Sequence, residues 1–270
     1  MNQGKQPGVI SRSGRQGPSD YVVEVRSVSK YFGALQAVDQ ASLGVRAGEV
    51  LCLVGDNGAG KSTLIKVITG FHRPHEGEIL VGGESYSSLT TLQARQLGIE
   101  AVYQDLALCD TLSASANVML GQEPVRLKIG PVKFIDERQS AKRAGELIAR
   151  VGAAVPDLQA KVARLSGGQR QAVAIARALV QAHRLVILDE PTAALGVAQT
   201  HASLALIRNV AQQGVGVVMI SHSLEDVFRV ADRIVVLRLG AVVLDTPASA
   251  TNRREIVSAI TGMDETVGAI

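Results

Sequence analysis

Apolar residues in this chain are concentrated in short runs that end at a glycine or at a polar segment. Four such runs, rich in valine, leucine and isoleucine, lie at residues 50–54, 185–188, 216–220 and 234–237. Short runs of this composition predict strands that are buried on both faces. Further strands are predicted at residues 21–25, 35–45, 79–81 and 99–103, with a turn at Gly33 between the first two.

Segments with helical spacing or helix-favouring composition lie between these strands. Helices are predicted to begin at Thr63 and to cover residues 89–97, 198–211 and 223–230. Strand patterns are absent between residues 105 and 182, where helices are predicted at 111–120, 136–151 and 167–182. Strands that alternate with helices indicate an α/β fold with a mostly parallel sheet, into which a helical segment is inserted.

Composition narrows the class of protein without identifying it. No apolar run approaches the roughly 18 residues needed to span a bilayer, so the chain is not expected to cross a membrane. Aromatic residues make up 3% of the chain and tryptophan is absent, which disfavours binding of nucleic acid by base stacking. Cys52 and Cys109 form no disulfide pattern, which fits a reducing cytoplasm. Residues 1–19 mix glycine, proline and basic residues, and we expect a disordered tail that is not a secretory signal.

The strongest chemical signal is a glycine-rich loop between the predicted strand at 50–54 and the following helix. Glycines in this context let several backbone N–H groups point at one anion, and the helix adds its positive end. The pattern predicts that Lys61 contacts the β- and γ-phosphates of a nucleotide and that the Ser62 hydroxyl binds Mg²⁺. The alternative is an ordinary glycine-rich turn, which the flanking strand and helix disfavour. The predicted binding loop is Gly55, Asp56, Asn57, Gly58, Ala59, Gly60, Lys61, Ser62 and Thr63.

Two carboxylates, Asp189 and Glu190, follow the apolar run at 185–188. The carboxyl ends of parallel strands meet at one edge of the sheet, where ligands bind. We expect Asp189 to hold Mg²⁺, through a water, and Glu190 to orient and deprotonate the attacking water. A strand that merely ends in a capped turn before Pro191 would explain this segment equally well if the glycine loop were not present.

A third signal is Ser166-Gly167-Gly168-Gln169, which precedes an alanine-rich helix. Ser166 is a favourable N-cap, and the two glycines permit close approach of the backbone, so this helix start also suits an anion. The alternative is an ordinary capped helix. The spacing leaves open whether Ser166 serves a nucleotide bound by its own chain or by a partner.

The three signals in this order resemble the nucleotide-binding domain of ABC transporters, from about residue 21 to residue 263. The resemblance implies a P-loop NTPase fold with a mostly parallel sheet core, an N-terminal antiparallel β portion and an inserted helical subdomain. It implies ATP and Mg²⁺ as cofactors. It also implies one domain over residues 20–263, with its core at about 20–104 and 183–250, its helical subdomain at about 105–182, and a tail at 264–270.

The resemblance carries roles for three further residues. Phe32 corresponds to the aromatic residue that stacks on adenine, with neighbouring Tyr31 as the competing candidate. Gln104 corresponds to a loop glutamine that contacts Mg²⁺ and the attacking water and links the site to the membrane partner. His222 corresponds to a switch histidine that contacts the γ-phosphate. The other histidines correspond to no motif and are expected to be surface residues: His72, His75, His183 and His201.

Several segments are similar to the branch of the family that imports simple sugars: residues 104–110, 191–197 and 227–233. That similarity implies a peripheral subunit at the cytoplasmic face of the membrane that hydrolyses ATP for a permease importing a sugar of the ribose, xylose or fructose kind. An external sugar-binding protein would be an indirect partner. Because the chain has one P-loop, it implies a dimer in which Ser166 faces the partner's nucleotide. Gly196 stands where many relatives have an aspartate that helps to pair the subunits, so that contact is in doubt.

Two alternatives stay open at this point. The solute could be another small molecule, such as an amino acid, because the sequence does not identify what the permease carries. A soluble ABC ATPase acting on ribosomes or DNA is less favoured, because such proteins usually carry two of these domains or a long coiled coil.

Overall fold

The computed structural model describes residues 20–130, 132–193 and 195–263, so the predicted tails at 1–19 and 264–270 lie outside the described residues. Its strands are β1 (Tyr21–Phe32), β2 (Leu35–Arg46), β3 (Val50–Val54), β4 (Glu76–Val81), β5 (Glu84–Tyr86), β6 (Ile99–Val102), β7 (Val125–Ile129), β8 (Val132–Ile135), β9 (Leu185–Asp189), β10 (Gly216–Ile220), β11 (Arg233–Arg238) and β12 (Ala241–Pro247). Its helices are α1 (Lys61–Ile68), α2 (Thr91–Gln96), α3 (Ala114–Met119), α4 (Glu137–Arg150), α5 (Gly167–Ala178), α6 (Val197–Gln212), α7 (Leu224–Val230) and α8 (Arg253–Thr261).

The main sheet has the strand order β12-β11-β3-β10-β9-β6. Its strands are parallel except for β12, which pairs antiparallel with β11. Alternate residues of β3 enter different cores: Val50, Cys52 and Val54 pack on one face of the sheet, and Leu51 and Leu53 on the other. Because both faces are covered, the central strands are continuously apolar. The predicted mostly parallel α/β fold is confirmed.

A second, antiparallel sheet in the order β2-β1-β4-β5 forms the N-terminal β portion. Its strand β1 runs to Phe32, seven residues past the predicted end at Val25. The pairing of β1 with β2 shifts register after Val25, and Ser27 has a positive φ of 47°. This irregularity interrupts the alternation of apolar and polar residues, which is why the sequence pattern stopped early.

The inserted segment contains α3, α4 and α5, which share a small apolar core of their own. The expectation that residues 105–182 contain no strand was wrong, because β7 and β8 form a separate two-stranded hairpin. Its cross-strand pairs are Leu127 with Phe134, Ile129 with Val132 and Lys128 with Lys133, so one face is apolar and the other basic. Every residue of both strands is exposed.

The C-terminal part of the chain adds two elements that the sequence analysis did not predict. Strand β12 closes the edge of the main sheet, and α8 packs against β11 with Ile256 fully buried. Within the described ranges, no helix has both the length and the hydropathy that crossing a bilayer demands. Cys52 is buried and Cys109 is exposed, and both are free thiols.

Candidate active site

The predicted catalytic residues come from four strands that lie side by side. The order β3-β10-β9-β6 places four carboxyl ends along one edge of the main sheet. Lys61 follows β3, His222 follows β10, Glu190 follows β9 and Gln104 follows β6. The register aligns these ends, since Ile220 of β10 pairs with both Leu53 of β3 and Asp189 of β9. Catalytic residues up to 161 positions apart in the chain, Lys61 and His222, are therefore brought to one edge.

The glycine loop is held in a conformation that only glycine adopts without cost. Gly60 has φ of 101°, and a Cβ placed there would lie 2.3 Å from the carbonyl oxygen of Ala37. No side chain caps α1, which begins at the next residue. The first N–H groups of a helix have no partner within the helix, so this end is suited to a phosphate.

Lys61 is buried beneath this loop and is already hydrogen-bonded. Its Nζ donates to the carbonyl oxygens of Gly55, at 2.7 Å, and Asp56, at 2.9 Å. Burial lowers the pKa of Lys61, and the negative charges of Glu190 and Asp189 oppose that shift. The other loop residues alternate between exposed positions at Asp56, Asn57, Gly58 and Ser62 and more protected positions at Ala59, Gly60 and Thr63.

The two carboxylates after β9 sit in a partly desolvated environment. Burial raises the pKa of Asp189, and the Lys61 charge works in the opposite direction. Burial likewise raises the pKa of Glu190, and the charge of His222 counteracts it. A carboxylate with a raised pKa is a stronger proton acceptor than an exposed one, which suits a general base.

Glu190 is held in an unusual backbone conformation next to His222. Its φ is 53°, in the left-handed region, and its backbone N–H donates to the carbonyl oxygen of Ile220 at 3.0 Å. Its Oε1 lies 3.0 Å from Nε2 of His222, a contact that is ionic only when the imidazole is protonated and that lacks hydrogen-bond alignment. That oxygen is buried and has no hydrogen-bond partner among the described residues. Its lone pairs are therefore not used by a protein donor in the described part of the chain.

The residues predicted to hold Mg²⁺ offer only oxygen donors: the Ser62 hydroxyl, the Asp189 carboxylate and the Gln104 amide oxygen. No group of three or more His, Cys, Asp or Glu side chains capable of holding a metal is found among the described residues. Mg²⁺ is commonly held by one or two protein oxygens, by waters and by substrate phosphates. The donor set thus fits Mg²⁺ carried by a nucleotide.

Two histidine rings pack edge-on against Tyr31 and Phe32, the aromatic pair before the β1–β2 turn. Phe32 is 43% exposed, and the ring of His72 meets it edge-on with centroids 5.2 Å apart. Tyr31 is more buried, and its backbone N–H donates to Nδ1 of His75 at 3.2 Å. His75 is exposed, as predicted for a surface residue, whereas His72 is partly buried. Of the two rings, that of Phe32 is the more exposed.

The segment Ser166-Gly167-Gly168-Gln169, called the signature segment below, caps the start of α5 with its own side chains. Ser166 Oγ accepts from the backbone N–H of Gln169 at 3.3 Å, and Gln169 Oε1 accepts from the N–H of Ser166 at 3.0 Å. This reciprocal pair is a capping box, so the predicted N-cap role of Ser166 is confirmed. Ser166 and Gly167 are exposed and Gly168 is partly buried. A Cβ on Gly167 would lie 3.0 Å from the side chain of Leu195, so the cap lies next to the segment before α6.

Gln104 is exposed and begins a loop that α5 holds at two places. Arg177 donates to the carbonyl oxygens of Leu106, at 2.6 Å, and Ala107, at 2.7 Å. Near the other end of α5, Arg170 forms an ion pair with Asp110 at 3.0 Å. Helix α5 therefore connects the Gln104 loop with the signature segment at its own N-terminus. The sequence analysis assigned no role to Arg170 or Arg177, because the strand that precedes the loop and α5 are far apart in the chain.

A family model described as ABC transporter matches residues 38–193. The xylose/arabinose import ATP-binding protein XylG of Sulfolobus acidocaldarius is 42% identical over 240 residues, which cover 89% of this chain and 94% of that protein. The fructose import ATP-binding protein FrcA of Rhizobium meliloti is 42% identical, over 81% of this chain and 85% of that protein. The ribose import ATP-binding protein RbsA 2 of Rubrobacter xylanophilus is 42% identical over 89% of this chain, which spans about half of that relative's length (46%).

Solved structures show the same fold. A nucleotide-free ATP-binding cassette from an ABC transporter has a TM-score of 0.76 at 25% identity, over 92% of this chain and 97% of that one. The ATP-binding cassette MJ0796, in a dimeric post-hydrolysis state bound to ADP and Pi, has a TM-score of 0.69 at 28% identity, over 84% of this chain and 98% of that one.

Proposed function

Because the chain belongs to the ABC transporter family and is one of its ATPases, we propose that it hydrolyses ATP to drive uptake of a simple sugar through a separate membrane permease. The observation that carries the proposal is the alignment of four strand ends, which puts a phosphate loop, two carboxylates, a histidine and a glutamine at one edge of the sheet. Relatives named for xylose, arabinose, fructose and ribose import match most of the chain and support the choice of solute.

The residues at this edge divide the work of hydrolysis. The loop from Gly55 to Thr63 binds the phosphates through backbone N–H groups, and Lys61 adds a positive charge. Phe32 stacks on the adenine ring. Glu190 accepts a proton from the attacking water, and His222 contacts the γ-phosphate and holds Glu190 through the 3.0 Å contact.

Mg²⁺ would be held by Ser62, Asp189 and Gln104, and when bound it neutralises charge on the phosphates. In the protein itself, the positive charge of Lys61 opposes the rise in the pKa of Asp189 that burial causes at the end of β9. Gln104 presents its amide from the end of β6, at the far side of the same edge.

We infer that the working unit is a dimer, most simply of two copies of this chain. The signature residues Ser166, Gly167, Gly168 and Gln169 would face the partner's phosphate loop, so that two nucleotides lie between the subunits. The dimeric state named for the MJ0796 cassette supports this arrangement. Opening of the dimer after hydrolysis would then follow from loss of the γ-phosphate, which removes the ligand that bridges both subunits.

The permease is proposed to bind beside the Gln104 loop, at the cytoplasmic face of the membrane. A cleft of about 320 Å³ lies between β6 and the inserted helices, and its lining includes Glu100, Leu120 and Arg177. Arg177 also holds the loop after Gln104, so a partner seated in the cleft would be coupled to the site. Residues 20–263 would act as one domain, with residues 105–182 as its helical part, and a sugar-binding protein outside the cell would supply the permease.

Replacing Glu190 by glutamine tests the hydrolytic assignment. We expect kcat for ATP to fall at least about 100-fold, because a general base contributes 10²–10⁴ in rate, while ATP still binds and a dimer accumulates. Phosphate release and size-exclusion chromatography with Mg²⁺-ATP measure the two effects. The control is Glu225→Gln, an exposed carboxylate at the start of α7. An unchanged hydrolysis rate in Glu190→Gln would remove Glu190 from this role.

The solute is tested by reconstituting the chain with its co-purified permease in vesicles. Binding proteins loaded with ribose, xylose, arabinose or fructose are added one at a time, with an amino-acid-loaded binding protein as the control. Stimulation of ATP hydrolysis by a sugar-loaded protein alone supports sugar import. Stimulation by the amino-acid-loaded protein alone would assign the transporter to another solute.

A further inference from the structure

A buried hydrogen bond joins the two catalytic loops outside the residues already assigned. Thr192, two residues after Glu190, donates from Oγ1 to Oδ2 of Asp226 at 2.9 Å. Asp226 lies in α7, four residues after His222. Thr192 is 9% exposed and Asp226 is 8% exposed, so the bond is shielded from water. Because a buried carboxylate is costly without a partner, loss of this bond would be felt locally.

With a second hydrogen bond, this one closes a small ring around the catalytic pair. The backbone N–H of Glu190 donates to the carbonyl oxygen of Ile220 at 3.0 Å. The ring therefore runs from Glu190 to Thr192, across to Asp226 and back through His222 to Ile220. The contact between Glu190 and His222 lies inside it. His222 is thus in a loop that is tied to the Glu190 loop at both of its ends.

Each end of the Thr192–Asp226 bond is itself fixed. On one side, the buried Ser203 of α6 donates to the carbonyl oxygen of Pro191. On the other side, Ser223 Oγ accepts from the backbone N–H of Asp226 and caps α7. Helices α6 and α7 pack against each other. The bond therefore transmits the spacing of two packed helices to the two loops.

We propose that Thr192 and Asp226 are positioning residues that hold Glu190 against His222 for hydrolysis. Neither side chain is assigned contact with the nucleotide. The inference rests on the proposed roles of Glu190 and His222. It also accounts for the left-handed backbone at Glu190, because a non-glycine residue keeps such a φ only where its surroundings fix it.

The test removes the hydroxyl and keeps the shape, with Thr192→Val. We expect kcat to fall about tenfold, because a small displacement of a general base is enough to slow the reaction, while KM for ATP and the affinity for ATP stay within about twofold. Thr192→Ser retains the donor and should restore kcat to within about twofold of the original protein. The matched control is Thr69→Val, directly after α1, which removes a buried hydroxyl that contacts Ile65, Lys66 and Tyr103, none of them assigned to the site, and should leave kcat unchanged.

A merely structural role is excluded by repeating Thr192→Val in a protein that also carries His222→Ala. If the bond acts through the contact with His222, its loss should cost less than about twofold in single-turnover hydrolysis there, because the interaction it serves is already gone. A full tenfold loss in both backgrounds would overturn the proposal, as would an unchanged kcat in folded Thr192→Val. If Thr192→Val does not fold by circular dichroism, Thr192→Ala, which leaves space for a water, takes its place with the same expectations.

The outcomes also separate this proposal from the function on which it rests. If hydrolysis by the original protein does not depend on Glu190, the assignment of the general base fails, and the positioning role of Thr192 and Asp226 fails with it. If hydrolysis depends on Glu190 but tolerates Thr192→Val, only the positioning role fails.

Discussion

The starts of helices α1 and α5 are both flanked by glycine and were both predicted to receive a phosphate, yet they are built differently. At α1 the residue before the helix is Gly60, in a left-handed conformation, and no side chain caps the helix. At α5 the residue before the helix is Ser166, in an extended conformation, and a reciprocal capping box satisfies two N–H groups. The first terminus is open to a ligand, whereas the second is already stabilised by its own side chains.

The difference indicates how the two termini are used. An open terminus whose shape depends on glycine can bind phosphate without rearranging, so each chain can hold a nucleotide by itself. A capped terminus that is stable without a ligand suits a surface that meets its phosphate only when a second subunit brings it. This comparison supports the proposal that the signature segment of each copy faces the phosphate loop of the other, and three variants test it.

The largest effect is expected from Gly60→Ala. The added Cβ would lie 2.3 Å from the Ala37 carbonyl oxygen, so the loop must change shape and ATP affinity should fall at least about 100-fold. The control is Gly121→Ala, which has a similar φ of 78° but no atom within 4 Å of the new Cβ. Gly121→Ala therefore has the backbone strain of a left-handed alanine, about 1–2 kcal/mol, without the steric clash. Titration with a fluorescent nucleotide measures the ATP affinity of each variant, and thermal unfolding measures its stability. Equal ATP affinities of Gly60→Ala and Gly121→Ala would show that the loop does not need this glycine.

An intermediate effect is expected from Ser166→Ala. Loss of the cap should lower the free energy of unfolding by about 1 kcal/mol. Ser113→Ala is a matched control, because Ser113 caps α3 in the same way, with its Oγ accepting from Ala116 N–H at 3.1 Å. Both variants should lose similar stability, but only Ser166→Ala should also reduce ATP-dependent dimer formation, seen by sedimentation, with ATP affinity of the single subunit unchanged. Equal dimer formation in both would place Ser166 outside the interface.

The smallest effect is expected from Gly196→Asp at the start of α6. A Cβ at Gly196 meets no atom within 4 Å, and the backbone there is already extended, with φ of −73°. Aspartate should therefore be accommodated and, as a better N-cap than glycine, should add a few tenths of a kcal/mol to stability. A rise in melting temperature of about 1 °C, by calorimetry, would agree with this. A drop in melting temperature would show that the site is more crowded than the structure indicates.

Much of the fold could be predicted because its strands are buried on both faces. The run Val50–Val54 is apolar throughout and its strand has the predicted bounds. The hairpin of β7 and β8 was missed although its signal is present, since Val125, Leu127 and Ile129 alternate with Arg126 and Lys128. An exposed hairpin lacks the long apolar run that identifies a buried strand. Its alternation of apolar and basic residues was also overlooked because the whole segment 105–182 was interpreted as helical.

The chemistry of the site and its place at the carboxyl edge of the sheet were predicted, but the order of the strands that assemble it was not. The P-loop and the pair of carboxylates each carry a recognisable pattern, and the resemblance added Gln104 and His222. Nothing local indicates that β10 lies between β3 and β9, because that adjacency is set by packing between distant segments. The bond between Thr192 and Asp226 depends on the same adjacency and carries no pattern of its own.

Lys61 shows what this architecture means for the heat of nucleotide binding. Its ammonium group already donates to two carbonyl oxygens, so a triphosphate that binds must replace these hydrogen-bond partners. The contribution of this group to the heat of binding is therefore only the difference between its old and its new partners. Removing the lysine could then change the binding enthalpy little while abolishing a contact that hydrolysis requires.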